Sequence, residues 1–179
     1  MRPRETLELF DLWLEDRSVR LEAVIIGGSA LGLLGITARQ TRDVDVLVPA
    51  IPEAVAVAAR EFAAARRALG EVLRDDWLNN GPGQVATLLP AGWDGRVQSA
   101  YVGRSILLHT LGRSDLLLTK LFALCDRGTD LADCIALAPS PAELAEALPW
   151  VQWQDANPDW PRHVEEVLVD LARRLGHGA

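Results

Sequence analysis

Ile25-Ile26-Gly27-Gly28-Ser29-Ala30-Leu31, followed some fourteen positions on by Asp43-Val44-Asp45-Val46, is the stretch that decides how this chain folds. Residues 23–26 are a short apolar run cut off by two glycines, the pattern of a buried strand entering a tight turn. Ser29 is placed to cap a helix over residues 30–34, with Gly35 as its stop. Val44, Val46 and Val48 then alternate with Asp43, Asp45 and Leu47, which predicts a strand carrying carboxylates along one side.

Upstream, residues 4–16 set Leu7, Phe10 and Leu14 on one face, the pattern of an amphipathic helix. Downstream, Pro52 opens an Ala-rich helix that runs to about residue 69. Asn79-Asn80-Gly81-Pro82-Gly83 is a loop signal. Residues 85–89, 97–102 and 105–110 read as antiparallel strands after it. From Ser114 the pattern is helical: one helix to about residue 125, another from Thr129, and a third announced by Ser140-Pro141-Ala142-Glu143, a capping box with proline at the first helical position. A last helix follows from Val164, Val167, Leu168, Leu171 and Leu175 and closes at Gly176. Residues 149–161 hold three tryptophans and three prolines and are expected to form a packed connector, with an aromatic partner-binding surface as the alternative. The order predicts a mixed α/β fold: an α/β core over residues 1–112 and a helical part packed on it over residues 113–179.

The chemistry concentrates in the opening stretch. Period two puts Asp43 and Asp45 on the same face of one strand. Carboxylates held that close repel each other unless a cation sits between them. Hard oxygen ligands in such a pair suit Mg²⁺, which takes one or two carboxylates and completes its shell with substrate phosphates. The Gly27-Gly28-Ser29 turn is the complement, because exposed amides at a glycine-lined helix start receive phosphate. Alone, the turn is an ordinary strand-to-helix connection and the acids are an ordinary strand face; their order and separation make the combination specific. Arg39 and Arg42 flank Thr41 just before the acids, where they would either neutralise phosphate or balance the carboxylates.

A Gly-Gly-Ser turn followed by Asp-x-Asp resembles the signature of the DNA polymerase β-like nucleotidyltransferase superfamily. The closer resemblance is to a bacterial branch related to AbiEii toxins, which includes a small family of unknown function. There the signature is followed by a helical Lys and an Asp-x-x-Asp segment, matched here by Lys120, Arg127 and Asp130-Leu131-Ala132-Asp133. The resemblance covers residues 24–48 and 115–137, with Trp77-Leu78-Asn79 as a further point. It implies a nucleotidyltransferase-like fold with Asp43 and Asp45 as ligands of two Mg²⁺ ions; the nucleoside triphosphate would lie at Gly27, Gly28 and Ser29, with Arg39 and Arg42 within reach only on the first of their two readings. Lys120 would face the triphosphate, oriented by Asp133. Physically, a lone Lys in an apolar helix must be paired, so the other account makes Lys120 a bridge to Asp133 or Asp130 between two helices.

The implied reaction transfers a nucleotidyl group to a hydroxyl, on tRNA as in toxin relatives or on a small molecule as in antibiotic-modifying enzymes, and a partner antitoxin would fit the first. One departure stands out: the later strands carry no Asp or Glu where polymerase β-like enzymes place a third acid, and Asp94 falls in a turn. A protein that keeps the fold as a nucleotide-binding scaffold without catalysis is therefore the competing reading.

Composition adds bounds. The formal net charge of −7 argues against a large sequence-independent nucleic-acid face. Cys125 and Cys134 give no disulfide framework and read as small hydrophobes in a reducing compartment. The first residues lack a signal-peptide pattern and no apolar run reaches membrane-span length, so a cytoplasmic protein without membrane contact is expected. His109 reads as core, and His163 and His177 lack metal-ligand spacing. There is no Walker A, GxGxxG or GxSxG motif.

Overall fold

The computed structural model describes residues 1–177. They form two compact units, Met1–Gly112 and the part from Arg113 onward. The first runs α1 (Pro3–Glu15), β1 (Leu21–Ile26), α2 (Gly27–Leu33), β2 (Val44–Val48), α3 (Glu53–Ala68), β3 (Leu78–Asn79), β4 (Gln98–Val102) and β5 (Ile106–Thr110). The strands make one mixed sheet in the order β3-β2-β1-β5-β4. β1 lies antiparallel to β2 and parallel to β5, with β3 parallel to β2 and β4 antiparallel to β5 at the edges.

Alternation in the sequence becomes two different sheet faces. Leu21, Ala23 and Ile25 on β1 meet Ile106, Leu108 and Thr110 on β5, and all six are buried. Glu22 is exposed, and Val24, Leu107 and His109 on the opposite face are only partly covered. Phe10 of α1, Phe62 of α3 and Trp77 form an aromatic cluster, meeting tilted or edge-on at centroid separations of 5.0 to 5.8 Å. The Trp77 indole donates to Ala59 O at 3.1 Å, so its one polar atom is satisfied inside this core. Asp11 projects from α1 and accepts the backbone amides of Arg104, Ser105 and Ile106 at 2.7 to 2.9 Å, a buried carboxylate that holds the β4–β5 turn.

The second unit is helical: α4 (Arg113–Arg127), α5 (Leu131–Leu137), α6 (Pro141–Gln152) and α7 (Trp160–Arg174). The capping box forms as expected, with Glu143 N donating to Ser140 Oγ at 3.2 Å and Ser140 N donating to the Glu143 carboxylate at 2.8 Å. Cys125 and Cys134 are free and buried, and burial pushes their thiols up to about 11 and 12.

Four local expectations are corrected. Residues 85–89 are not a strand: residues Gly83–Thr87 form a 3-10 turn, because Val85 N and Leu88 N bond to Pro82 O and Val85 O, three residues back, and leave no ladder to make. Asn79, expected in a loop, belongs to β3. Ser29 does not cap a helix from residue 30. α2 begins at Gly27, and the Ser29 hydroxyl lies in its first turn, donating to Ile26 O at 3.3 Å. The helix expected from Thr129 starts at Leu131 with Asp130 at its N-cap. Of the connector, Pro149 lies inside α6 and Trp160 opens α7. Trp160 is buried and donates to Val151 O at 2.9 Å, whereas Trp153 is 87 % exposed.

Candidate active site

β2 carries Asp45, whereas Asp43, expected on the same strand, falls just before its first residue, Val44. Val44 and Val46 are fully buried, and Asp45 between them is half-buried on the other side of the strand. Asp45 pairs with Ile26, the residue that leads directly into Gly27. That register brings the carboxylate onto the turn: a methyl group added at Gly27 would lie 2.9 Å from Asp45 Oδ2. Gly27 also sits at φ +82°, a conformation that only glycine adopts cheaply. Gly27 is therefore required twice, by the backbone and by the approach of the acid.

Gly28 faces the segment that precedes β2. Its added methyl would lie 3.2 Å from the Arg39 guanidinium and 3.5 Å from Thr41 Oγ1. Thr41 Oγ1 in turn lies 3.3 Å from Asp43 O and 3.5 Å from Asp43 Oδ1, at the long limit of hydrogen bonding. Asp43 stands just before β2, half-buried like Asp45. The sequence-expected residues Gly27, Gly28, Arg39, Asp43 and Asp45 thus gather at one corner of the sheet. Arg42 is exposed. Ser29 is buried with its hydroxyl turned to the backbone of Ile26.

Asn79, named by the resemblance only as a further point and given no role there, is the added member. Its Nδ2 donates to Asp45 Oδ1 at 3.2 Å, from the position directly paired with Asp45 in the β2–β3 ladder. Its Oδ1 accepts from Gly81 N at 2.7 Å, which fixes which end of the amide faces the acid. The available signal was its place just after the buried Trp77-Leu78 pair. The pairing itself spans 34 positions and is invisible to local pattern.

The second block closes on itself. Lys120 on α4 is buried, and its Nζ donates to Asp130 Oδ1 at 2.8 Å and Asp133 Oδ2 at 2.6 Å. Burial would raise the Asp130 carboxyl, but the Lys120 hydrogen bond and charge, with Arg127 and Thr129, together hold it below its ordinary value. The bridge between helices, one of the two accounts open for Lys120, is thus present within this unit.

The remaining candidates are placed simply. Asp94 makes a turn, accepting from Gly95 N at 3.1 Å. His163 and His177 meet the carbonyls of Cys125 and Pro139. Among the described residues no group of three or more His, Cys, Asp or Glu is arranged to hold a metal, so a metal here would rest on the Asp43–Asp45 pair. That pair fits Mg²⁺ by donor type: two half-buried carboxylates, Asp45 on β2 and Asp43 just before it, near the glycine turn. No helix among the described residues is long and apolar enough to cross a membrane.

Residues 6–138 match the model of a family described as "Nucleotidyltransferase of unknown function (DUF6036)". The chain belongs to this nucleotidyltransferase family. The family match spans the glycine turn, both acids of β2, Asn79 and the Lys120–Asp130–Asp133 cluster, and it ends before α6. No curated protein and no solved structure matches the chain.

Proposed function

We propose that the protein transfers a nucleoside monophosphate from a nucleoside triphosphate to a hydroxyl acceptor, at the corner formed by Gly27, Gly28, Arg39, Asp43 and Asp45. The observation that carries this reading is the seating of Asp45 against Gly27, with Arg39 and Thr41 against Gly28, in a chain of a nucleotidyltransferase family. Asp43 and Asp45 would hold Mg²⁺, two ions in the fullest version, which supplies charge neutralisation for the phosphates. The lack of side chains at Gly27 and Gly28 lets Asp45, Arg39 and Thr41 close on the main chain, and Arg39, against Gly28, would offer a guanidinium to phosphate charge. The acceptor oxygen forms a bond to the α-phosphorus, the bond to the β-phosphate bridging oxygen breaks, pyrophosphate leaves with that electron pair, and the hydroxyl proton passes to solvent.

We assign Lys120 and Asp133 first to the helix bridge that their distances describe. Their expected action on the triphosphate is a separate part of the proposal. It requires a loss of transfer in Lys120→Arg larger than any loss of stability. For the acceptor, tRNA is the first to test, because the resemblance to toxin relatives favours it, and an antitoxin partner belongs to the same version. The scaffold reading draws on β4 and β5, which bear no acid.

The test is thermal shift with each nucleoside triphosphate, with and without Mg²⁺, followed by transfer of labelled nucleotide to total tRNA, to protein and to aminoglycoside-type small molecules. The wild-type protein should gain Mg²⁺-dependent stability and label one acceptor class, and Asp43→Asn/Asp45→Asn should lose at least about 100-fold in transfer while staying folded. Nucleotide binding without transfer to any acceptor would favour the scaffold. Transfer undiminished in the double variant would end this reading.

A further inference from the structure

Asn79 donates to the one candidate ligand that is seated on the glycine turn. Asp45 has two oxygens with different surroundings: Oδ1 accepts from Asn79 Nδ2 at 3.2 Å, and Oδ2 is the oxygen that faces Gly27. The hydrogen bond thus restrains rotation of the carboxylate about its Cβ–Cγ bond with Oδ2 toward the turn. Three features lock the amide itself. It belongs to β3, whose ladder with β2 sets Asn79 opposite Asp45. Its carbonyl end is held by Gly81 N at 2.7 Å. Its amino end also lies 3.4 Å from Asp76 O, a second acceptor on the side away from Asp45. Neighbouring Asn80 pins the same segment by accepting from Ile51 N and donating to Val46 O and Pro49 O, so that β3 and the end of β2 are one stitched piece.

Resting on the function proposed above, we infer that Asn79 is a positioning residue that orients Asp45 for divalent-metal binding. A neutral donor suits this task. It restrains the carboxylate without cancelling the negative charge that a cation needs, as outer-shell partners of metal ligands commonly do. Nothing in the turn at Gly81 alone requires the amino end of Asn79: the turn uses only its carbonyl oxygen, which a serine hydroxyl can replace in the same kind of turn.

That difference supplies the experiment. Mn²⁺ binding to the full chain, with a non-hydrolysable nucleoside triphosphate present, is followed by electron paramagnetic resonance for wild type, Asn79→Ala, Asn79→Ser and Asp45→Asn, with the thermal midpoint of each metal-free protein. Asn79→Ser keeps the turn acceptor and is too short to reach Asp45, so it guards against an Asn79→Ala protein that fails to fold. Expected are a roughly 10-fold weaker Mn²⁺ affinity and a broadened bound-metal spectrum in both Asn79 variants, with Asn79→Ser melting within a few degrees of wild type. Asp45→Asn should abolish the bound signal. Mn²⁺ affinity within twofold of wild type in Asn79→Ser, with binding abolished in Asp45→Asn, overturns the role of Asn79 and leaves the metal site standing. Equal binding by wild type and Asp45→Asn overturns the site itself, and this inference with it.

Discussion

Two clusters of charge in this protein are built in opposite ways. Lys120, Asp130 and Asp133 shut out water and answer one another: their side chains are 7, 13 and 1 % exposed, and the ammonium bonds both carboxylates. Asp43 and Asp45 are half-buried instead, beside a glycine turn, with the hydroxyl of Thr41 and the amide of Asn79 among their partners. Closed clusters of the first kind lock helices together, whereas partly exposed acids beside a glycine turn are the ones proposed above to take a cation. The contrast makes the two roles separable by experiment.

Breaking the closed cluster should produce the larger effect on stability. Lys120→Met leaves two buried carboxylates uncompensated and is expected to cost about 3 to 5 kcal/mol, read as the shift in chemical denaturation. Lys120→Met combined with Asp130→Asn and Asp133→Leu should recover much of that loss, because an apolar replacement removes the stranded charges. A Lys120→Met protein as stable as wild type would erase the contrast between the two clusters.

The open cluster is sharpened by Gly27→Ala. Alanine at φ +82° is expected to cost about 1 to 2 kcal/mol. Its methyl would also push against Asp45 Oδ2, so nucleotide affinity should fall further than stability alone explains. Matched thermal shifts with and without Mg²⁺-nucleotide separate the two losses.

The smallest effect lies at low pH in the helical unit. The Arg113 hydrogen bond, with Ser140 at the cap, lowers Glu143 from 4.5 to about 2, and Asp130 is lowered as well. Carboxyls with depressed folded values contribute stability that is fully present above their unfolded values and lost as pH falls through the folded ones. Denaturation midpoints should thus decline from about pH 4.5 toward pH 2. Glu143→Gln should flatten part of that slope by a small amount, since its ion pair with Arg113 is partly exposed. An unchanged slope would remove Glu143 from the account.

Much of this was legible in the chain, and the reasons are particular. Val44-Asp45-Val46 alternates because one side of β2 is core and the other carries the half-buried Asp45, so the strand and its two faces were readable in the same three residues. The box at Ser140 is a local hydrogen-bond pattern, and local patterns can be read. Lys120 betrayed its need for a partner by standing alone in an apolar helix, with Asp130 and Asp133 at the start of the next. What escaped depends on distance or on competition. Val85 lies in an apolar run that suits a strand, yet Pro82 and Gly83 set up bonds to residues three back and the run closes as a turn. Asn79 looked like loop because its reason for being a strand is Asp45, brought to it only by the sheet.

The most direct measurement is a crystal structure of the protein with a non-hydrolysable nucleoside triphosphate and Mg²⁺. It should show metal density contacted by Asp43 and Asp45, with triphosphate oxygens at the amides of Gly27 and Gly28 and the Arg39 guanidinium beside them. Nucleotide bound elsewhere, or carboxylates of Asp43 and Asp45 that touch no metal while the nucleotide is fully occupied, would contradict the account.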